Sequence, residues 1–163
     1  MSKGIVAKFE KVSFNQWLQD CYLLSKEVYD KLIIPKRATK GSAGYDFFAP
    51  INFVIPPHGE IRIPTGIKCK ITEGFVLEIY PRSSLGFKHR ISLSNTVGII
   101  DSDYYGNESN EGHIFIKLYN PKDTLVSIAQ GEAFAQGIFK SYYFAEEEDV
   151  TEERTGGMGS TNK

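Results

Sequence analysis

Two acids, Asp101 and Asp103, follow directly on the strand-forming residues Val97, Ile99 and Ile100 in "NTVGIIDSDYYGN", residues 95–107. A carboxylate at such a strand end is either turn chemistry or a proton acceptor at the lip of a pocket. Residues 81–89, "PRSSLGFKH", combine the planar guanidinium of Arg82 with the hydroxyls of Ser83 and Ser84 and a glycine. That donor set binds phosphate, and it is equally the composition of a capped turn beside a surface ion pair. Residues 40–50, "KGSAGYDFFAP", set Asp46 among small and aromatic residues, where it caps a turn or holds water around a hard cation. Gln136 lies in the apolar run "GEAFAQGIF", residues 131–139, where its amide must find partners, at a sheet edge or in a site. The terminal stretch "AEEEDVTEERTGGMGSTNK" has too few apolar side chains to fold alone. It reads as a disordered end, or as a lid in which Arg154 meets an anion and Gly156, Gly157 and Gly159 permit close backbone approach.

These groups must be held by the intervening elements, and the texture from residue 27 to 144 is that of short strands. "YDKLIIP", "INFVIPP", "EIRIPTGIKCKI", "GFVLEIYP", "RISLSN", "GHIFIKLYN", "TLVSIAQG" and "AFAQGIFKSYYF" are β-branched and aromatic, with Gly, Pro, Asn and Asp between them. Their spacing predicts an all-β sandwich, jelly roll or barrel and argues against βαβ units. Upstream, Ser13 and Gln16 match a capping box, and Phe14, Trp17, Leu18 and Cys21 share one helical face. The pattern predicts a helix over 14–25, with Trp17 as packing.

With 163 residues the chain is long enough for one domain with a sizeable core. A formal net charge of -1 supplies no field to draw the protein onto nucleic acid or an anionic membrane, so an anionic ligand must be held locally. Cys21 and Cys69 form no CxxC pair and read as buried thiols in a reducing compartment. No apolar run reaches membrane-spanning length, and the protein is expected to be soluble and cytoplasmic. His58, His89 and His113 show no metal spacing and read as surface or turn residues. Dinucleotide-binding, P-loop and hydrolase-triad signatures are all missing from the sequence.

Taken in order, "SAGYDFFAP", "PRSSLGFKH", "NTVGIIDSDYYGN", "GEAFAQGIF" and "RTGGMGST" resemble the five motifs of the homotrimeric dUTP diphosphatases, spanning residues 42–161. The resemblance implies an all-β, jelly-roll-like barrel or sandwich with a short N-terminal helix (1–26), a β core (27–144) and a flexible C-terminal lid (145–163). It implies a homotrimer with inter-subunit active sites and magnesium-dependent hydrolysis of dUTP to dUMP and pyrophosphate. Asp101 would activate the water that attacks the α-phosphorus. Asn95 would read the uracil edge, with Gly98 and Ile100 beside it, and Tyr104 would pack under deoxyribose and exclude a 2′-hydroxyl. Arg82, Ser83 and Ser84 resemble the triphosphate cradle, assisted by Gln136. Asp46 resembles the acid that holds magnesium through water. Arg154 would meet the γ-phosphate, while Met158, Gly159 and Ser160 would close over the nucleotide.

The sequence departs from the family pattern in three places. Met158 stands where a phenylalanine usually stacks on uracil, and the run from Arg154 to the paired glycines is one residue short. Ala133 replaces a common arginine of the fourth motif, and "NESNEGHIF" lengthens the passage after the third, predicting a polar loop. Other readings are a dCTP deaminase of the same fold, or a regulatory protein in which Trp17 or the 107–112 loop meets a protein partner.

Overall fold

The strand alternation is realised in the computed structural model, which describes residues 4–21, 25–146, 150–152 and 154–157. Twelve strands are present among these residues: β1 (Ala7–Lys11), β2 (Lys36–Arg37), β3 (Tyr45–Phe48), β4 (Phe53–Ile55), β5 (Glu60–Pro64), β6 (Ile67–Ile71), β7 (Phe75–Pro81), β8 (Ser92–Leu93), β9 (Gly98–Ile100), β10 (Phe115–Tyr119), β11 (Val126–Ile128) and β12 (Ala133–Ser141). All pairings are antiparallel, in sheets ordered β2-β3-β12-β7-β9, β5-β10-β8, β11-β4 and β1-β6. This is a jelly-roll-like β-sandwich with short helices.

Period-two burial builds its core. Leu77 and Ile79 of β7, Ile116 and Leu118 of β10, and Ile67, Cys69 and Ile71 of β6 point inward, joining Phe47 and Phe134 in one cluster. Gly137 of β12 is required by this packing, because a Cβ there would stand 2.7 Å from Leu77 Cδ1 and 3.1 Å from Phe47 Cε2.

The N-terminal segment is more integrated than the expected helical extension. Residues 7–11 form β1, paired with β6. The expected helix over 14–25 ends early: α1 covers Phe14–Asp20, and Cys21 leaves helical geometry at φ -141°. Ser25 then caps a second helix, α2 (Lys26–Asp30), by accepting from the Val28 amide. The strand expected in "YDKLIIP" is therefore absent, since Tyr29 and Asp30 belong to α2 and residues 31–35 lie in no strand. Leu32 is buried instead with Val12, Trp17 and Cys21 in a second small core. Trp17 is fully buried, as its helical stripe predicts. The capping box is half formed. Ser13 Oγ accepts from the Gln16 amide, but the Gln16 side chain donates to Asp20. Glu111, from the distant loop before β10, accepts from the Ser13 amide in its place.

Candidate active site

Strand register places the polar residues. Gln136 of β12 lies opposite Asp46 of β3 on one side and Tyr80 of β7 on the other. It is thus in a central strand, with its Nε2 donating to Pro81 O at 3.3 Å. The chain leaves β7 through Arg82, whose amide donates to Phe134 O, and enters α3 (Ser83–His89). Arg82 caps this helix without a side-chain bond, and Ser83 and Ser84 are exposed. Asp46, Arg82, Ser83, Ser84 and Gln136 consequently line one cavity of about 580 Å³. Arg82 Nη2 stands 3.6 Å from Asp46 Oδ2. The segment "PRSSLGFKH" starts a helix without the serine side-chain cap that the turn reading expects, and its cation and hydroxyls line a shared cavity.

A lone carboxylate beside phosphate-type donors suits magnesium that keeps its waters and takes its other ligands from phosphate oxygens. Among the described residues, no cluster of three or more His, Cys, Asp or Glu side chains offers a protein-only cage.

The second group gathers at the end of β9, which is held by pairing Leu77 with Ile100 and Ile79 with Gly98. Gly98 permits this contact, because a Cβ there would meet Ile79 Cβ at 3.0 Å. Beyond Ile100 the chain turns into a 3₁₀ segment, Ser102–Tyr104. Asn95, Gly98, Ile100, Asp101, Tyr104 and Arg154 line a cavity of about 330 Å³, together with Phe115. Asp101 is half exposed. Its partner is Arg154, whose Nη2 donates to Asp101 Oδ2 at 2.9 Å while Nε donates to Asp103 Oδ1 at 2.9 Å. Asp101 and Asp103 therefore share one guanidinium, which also lies 5.8 Å over the Tyr104 ring. Arg154 is on the acids and not in the cavity that holds Arg82. Met158, Gly159 and Ser160 lie outside the described residues.

Tyr104 is buried, and its hydroxyl is bonded in both directions: it donates to His113 O at 2.8 Å and accepts from Asn110 Nδ2 at 2.9 Å. Burial pushes its ionisation upward. His113 corrects the surface reading of the sequence, since it has no exposed area. Its Nδ1 lies 2.6 Å from Asp20 Oδ2, and its Nε2 accepts from the Gly66 amide at 2.8 Å. That geometry fixes the neutral ring with Nδ1 as donor. Burial holds its pKa below the usual value, partly opposed by Asp20. Sequence reasoning missed Asp20, Asn107, Asn110, Glu111 and His113 as supports of the site; the Asn and Gly content of "NESNEGH" was the available signal.

A dUTPase family model matches residues 30–162. The deoxyuridine 5'-triphosphate nucleotidohydrolase of Lactococcus lactis is 48% identical over 131 residues, covering 78% of this chain and 87% of the relative. The mitochondrial counterpart of Dictyostelium discoideum is 38% identical over 141 residues, covering 83% and 74%. The crystal structure of dUTPase from Streptococcus mutans superposes with a TM-score of 0.68 at 35% identity, covering 85% of this chain and 98% of that one. A D95N dUTPase from phage phi11 of S. aureus, described as coordinating a structural Mg(II) ion, shares the fold at a TM-score of 0.65 and 19% identity, covering 91% and 98%. With five ordered motifs on a matching sandwich, the chain belongs to the dUTPase family.

Proposed function

We propose that this protein hydrolyses dUTP to dUMP and pyrophosphate, removing a source of uracil from DNA synthesis and supplying dUMP for thymidylate synthesis. Asp101 accepts a proton from the water that attacks the α-phosphorus. Asn95 hydrogen-bonds the uracil edge beside Gly98 and Ile100, and the Tyr104 ring meets the deoxyribose face. Arg82, Ser83 and Ser84 hold phosphate oxygens, with Gln136 near the α-phosphate. Asp46 would hold a magnesium ion, which when bound would neutralise phosphate charge.

Arg154 must leave Asp101 before that carboxylate can accept a proton. The triphosphate offers the guanidinium a competing anion, so substrate binding both frees the base and draws the tail over the nucleotide. The buried thiols of Cys21 and Cys69, both pushed up to about 12 by burial, suit the reducing cytoplasm in which we place the enzyme.

The observation that carries the reading is the division of the site. Asp101, Asn95 and Tyr104 surround one cavity, while Asp46, Arg82, Ser83, Ser84 and Gln136 surround another. One nucleotide needs both sets, which supports a homotrimer whose sites are completed between subunits. Mixing Asp101→Asn with Arg82→Ala, each impaired alone, tests this. Random assembly restores both groups at about a quarter of the sites when they come from different subunits, and at none when they come from one. Activity that does not rise on mixing above that of the separate variants rejects the shared site; near-normal turnover by Asp101→Asn alone rejects its role as base.

A further inference from the structure

The loop between Tyr104 and β10 is a built support, closed upon itself by hydrogen bonds. The Gly106 amide donates to Glu111 O, the Glu111 amide to Asn107 O, and the His113 amide to Asn110 O, each at 2.9 Å. Asn107 is buried at its centre. Its Oδ1 accepts from the amides of Ser109 and Asn110, while its Nδ2 donates to Tyr104 O at 2.8 Å and to Asn110 Oδ1 at 2.7 Å. Asn110 Oδ1 also accepts from the Gly112 amide at 3.0 Å, so its side-chain amide is held in one orientation. The free end of that amide, Nδ2, donates to the hydroxyl of Tyr104. Gly112 can turn here only without a side chain: its φ is +86°, and a Cβ would stand 2.7 Å from Tyr104 O.

The Tyr104 hydroxyl has one hydrogen to give, and it goes to His113 O. With Asn110 donating from the other side, the hydroxyl is engaged in both directions by the protein, and the surface left for a ligand is the ring itself. A ring tied only at its Cα swings about two side-chain torsions. Tied also at its far end, it keeps its long axis in one direction, since the hydroxyl oxygen lies on that axis.

We propose that Asn110 is a positioning residue for sugar selection: by holding the Tyr104 hydroxyl it fixes where the ring lies, and so separates a 2′-deoxyribose from a ribose. The proposal rests on the reading of Tyr104 as the residue under the sugar. A displacement well under 1 Å at the ring edge decides whether a hydroxyl oxygen fits, so loss of the tie admits UTP.

The test measures kcat/KM for dUTP and for UTP in full-length Asn110→Ala, Tyr104→Phe, the double variant and Tyr104→Ala, with Tm for each. Asn110→Ala should lower the dUTP/UTP ratio about fivefold, the size expected for one lost neutral hydrogen bond. Tyr104→Phe, which keeps the ring and loses both ties, should lower it at least as far. Adding Asn110→Ala to Tyr104→Phe should then change the ratio little, because Nδ2 has no hydroxyl left to hold. A reduced Tm with an unchanged ratio, or full additivity in the double variant, overturns the proposal and leaves Asn110 a structural loop residue. If Asn110→Ala does not fold, Asn110→Ser, whose shorter side chain retains an acceptor for the Gly112 amide, takes its place in the same cycle. Tyr104→Ala separates the two readings. A ratio unchanged in Tyr104→Ala rejects Tyr104 as the sugar check, whereas a ratio that collapses there but survives in the Asn110 variants rejects only the support.

Discussion

The two halves of the site are built differently. Around Tyr104, nearly every polar atom is engaged by protein: Asn107, Asn110, Glu111 and His113 tie the loop to itself, to Gly66 and to α1. Around Arg82, the side chains of Ser83 and Ser84 are exposed, and the guanidinium has one carboxylate at 3.6 Å. Under the proposed function, the contrast follows from what each half recognises. Deoxyribose differs from ribose by a single hydroxyl, so the contact that tells them apart must be rigid before the ligand arrives. A triphosphate brings several charges of its own, and flexible donors can organise on it. Rigid support therefore belongs on one side of the nucleotide and adaptable charge on the other.

His113→Ala should have the largest effect on this contrast, and that effect should fall on folding. The ring packs 4.3 Å from Phe115 and 6.2 Å from Trp17 between centroids, and its removal also strands the Gly66 amide and leaves Asp20 with only its Gln16 partner. The expected cost is about 2–4 kcal/mol from a cavity plus unpaired buried groups, read by urea denaturation. A loss below about 1 kcal/mol would mean that α1 and the loop are not held through this ring.

Arg82→Ala is the counterpart on the open side, with its effect on turnover and little on stability. Removing one charge-assisted phosphate contact should lower kcat/KM for dUTP roughly 10- to 100-fold. The midpoint of unfolding should stay within about 0.5 kcal/mol of the parent protein, as for other surface changes. A large stability loss would show that the Arg82–Asp46 pair is structural, and would weaken the assignment of this cavity to phosphate.

The same contrast explains what was legible in the sequence. Strand alternation in "GFVLEIYP" and "GHIFIKLYN" predicted β7 and β10, because period-two burial is a local signal. The grouping around Arg82 was easier to anticipate, because Arg82, Ser83 and Ser84 are contiguous and Asp46 has its own motif. The support was not. Asp20 and His113 are 93 positions apart and meet only through the packing of α1 on the loop before β10. Glu111 likewise completes a helix cap 98 positions away, where the local pattern pointed to Gln16. "YDKLIIP" failed as a strand because a serine cap recruited its first residues into α2, and Leu32 found burial against Trp17 without a ladder. The division of the site into two cavities was equally invisible, since contiguous motifs say nothing of which walls they share.

Acid should reach the rigid side in two stages. His113 has a folded pKa below the value of about 6.5 expected in the unfolded chain. The unfolded state therefore takes up a proton first, and stability, complete above about pH 6.5, declines as pH falls from there toward the folded pKa. A protonated Nε2 would also face the Gly66 amide, donor against donor. Glu111 acts lower. Burial alone would raise its pKa, but the Ser13 hydroxyl and amide and Lys68 hold it down at about 2, so its contribution is present above about pH 4.5 and lost as pH falls toward that value. Tm measured from pH 7.5 to 5 should show the first decline in the parent protein, and His113→Gln should flatten it. An equal slope in both would assign the decline to other groups.

Ser13→Ala should have the smallest effect, and it probes how far the rigid side extends. Ser13 is joined to both regions: its Oγ accepts from the Gln16 amide to start α1, and the same hydroxyl donates to Glu111 at 2.5 Å. Loss of a serine cap costs about 1 kcal/mol. The backbone amide of Ser13 and the Lys68 ammonium still reach Glu111 in the variant, so the carboxylate keeps two of its three partners. The expected result is a fall of about 1 kcal/mol in stability with the dUTP/UTP ratio unchanged, because Asn107 and Asn110 hold Tyr104 from within the loop. A lowered ratio in Ser13→Ala would instead place the helix cap within the sugar-selecting support, extending it from the loop to the N-terminal segment.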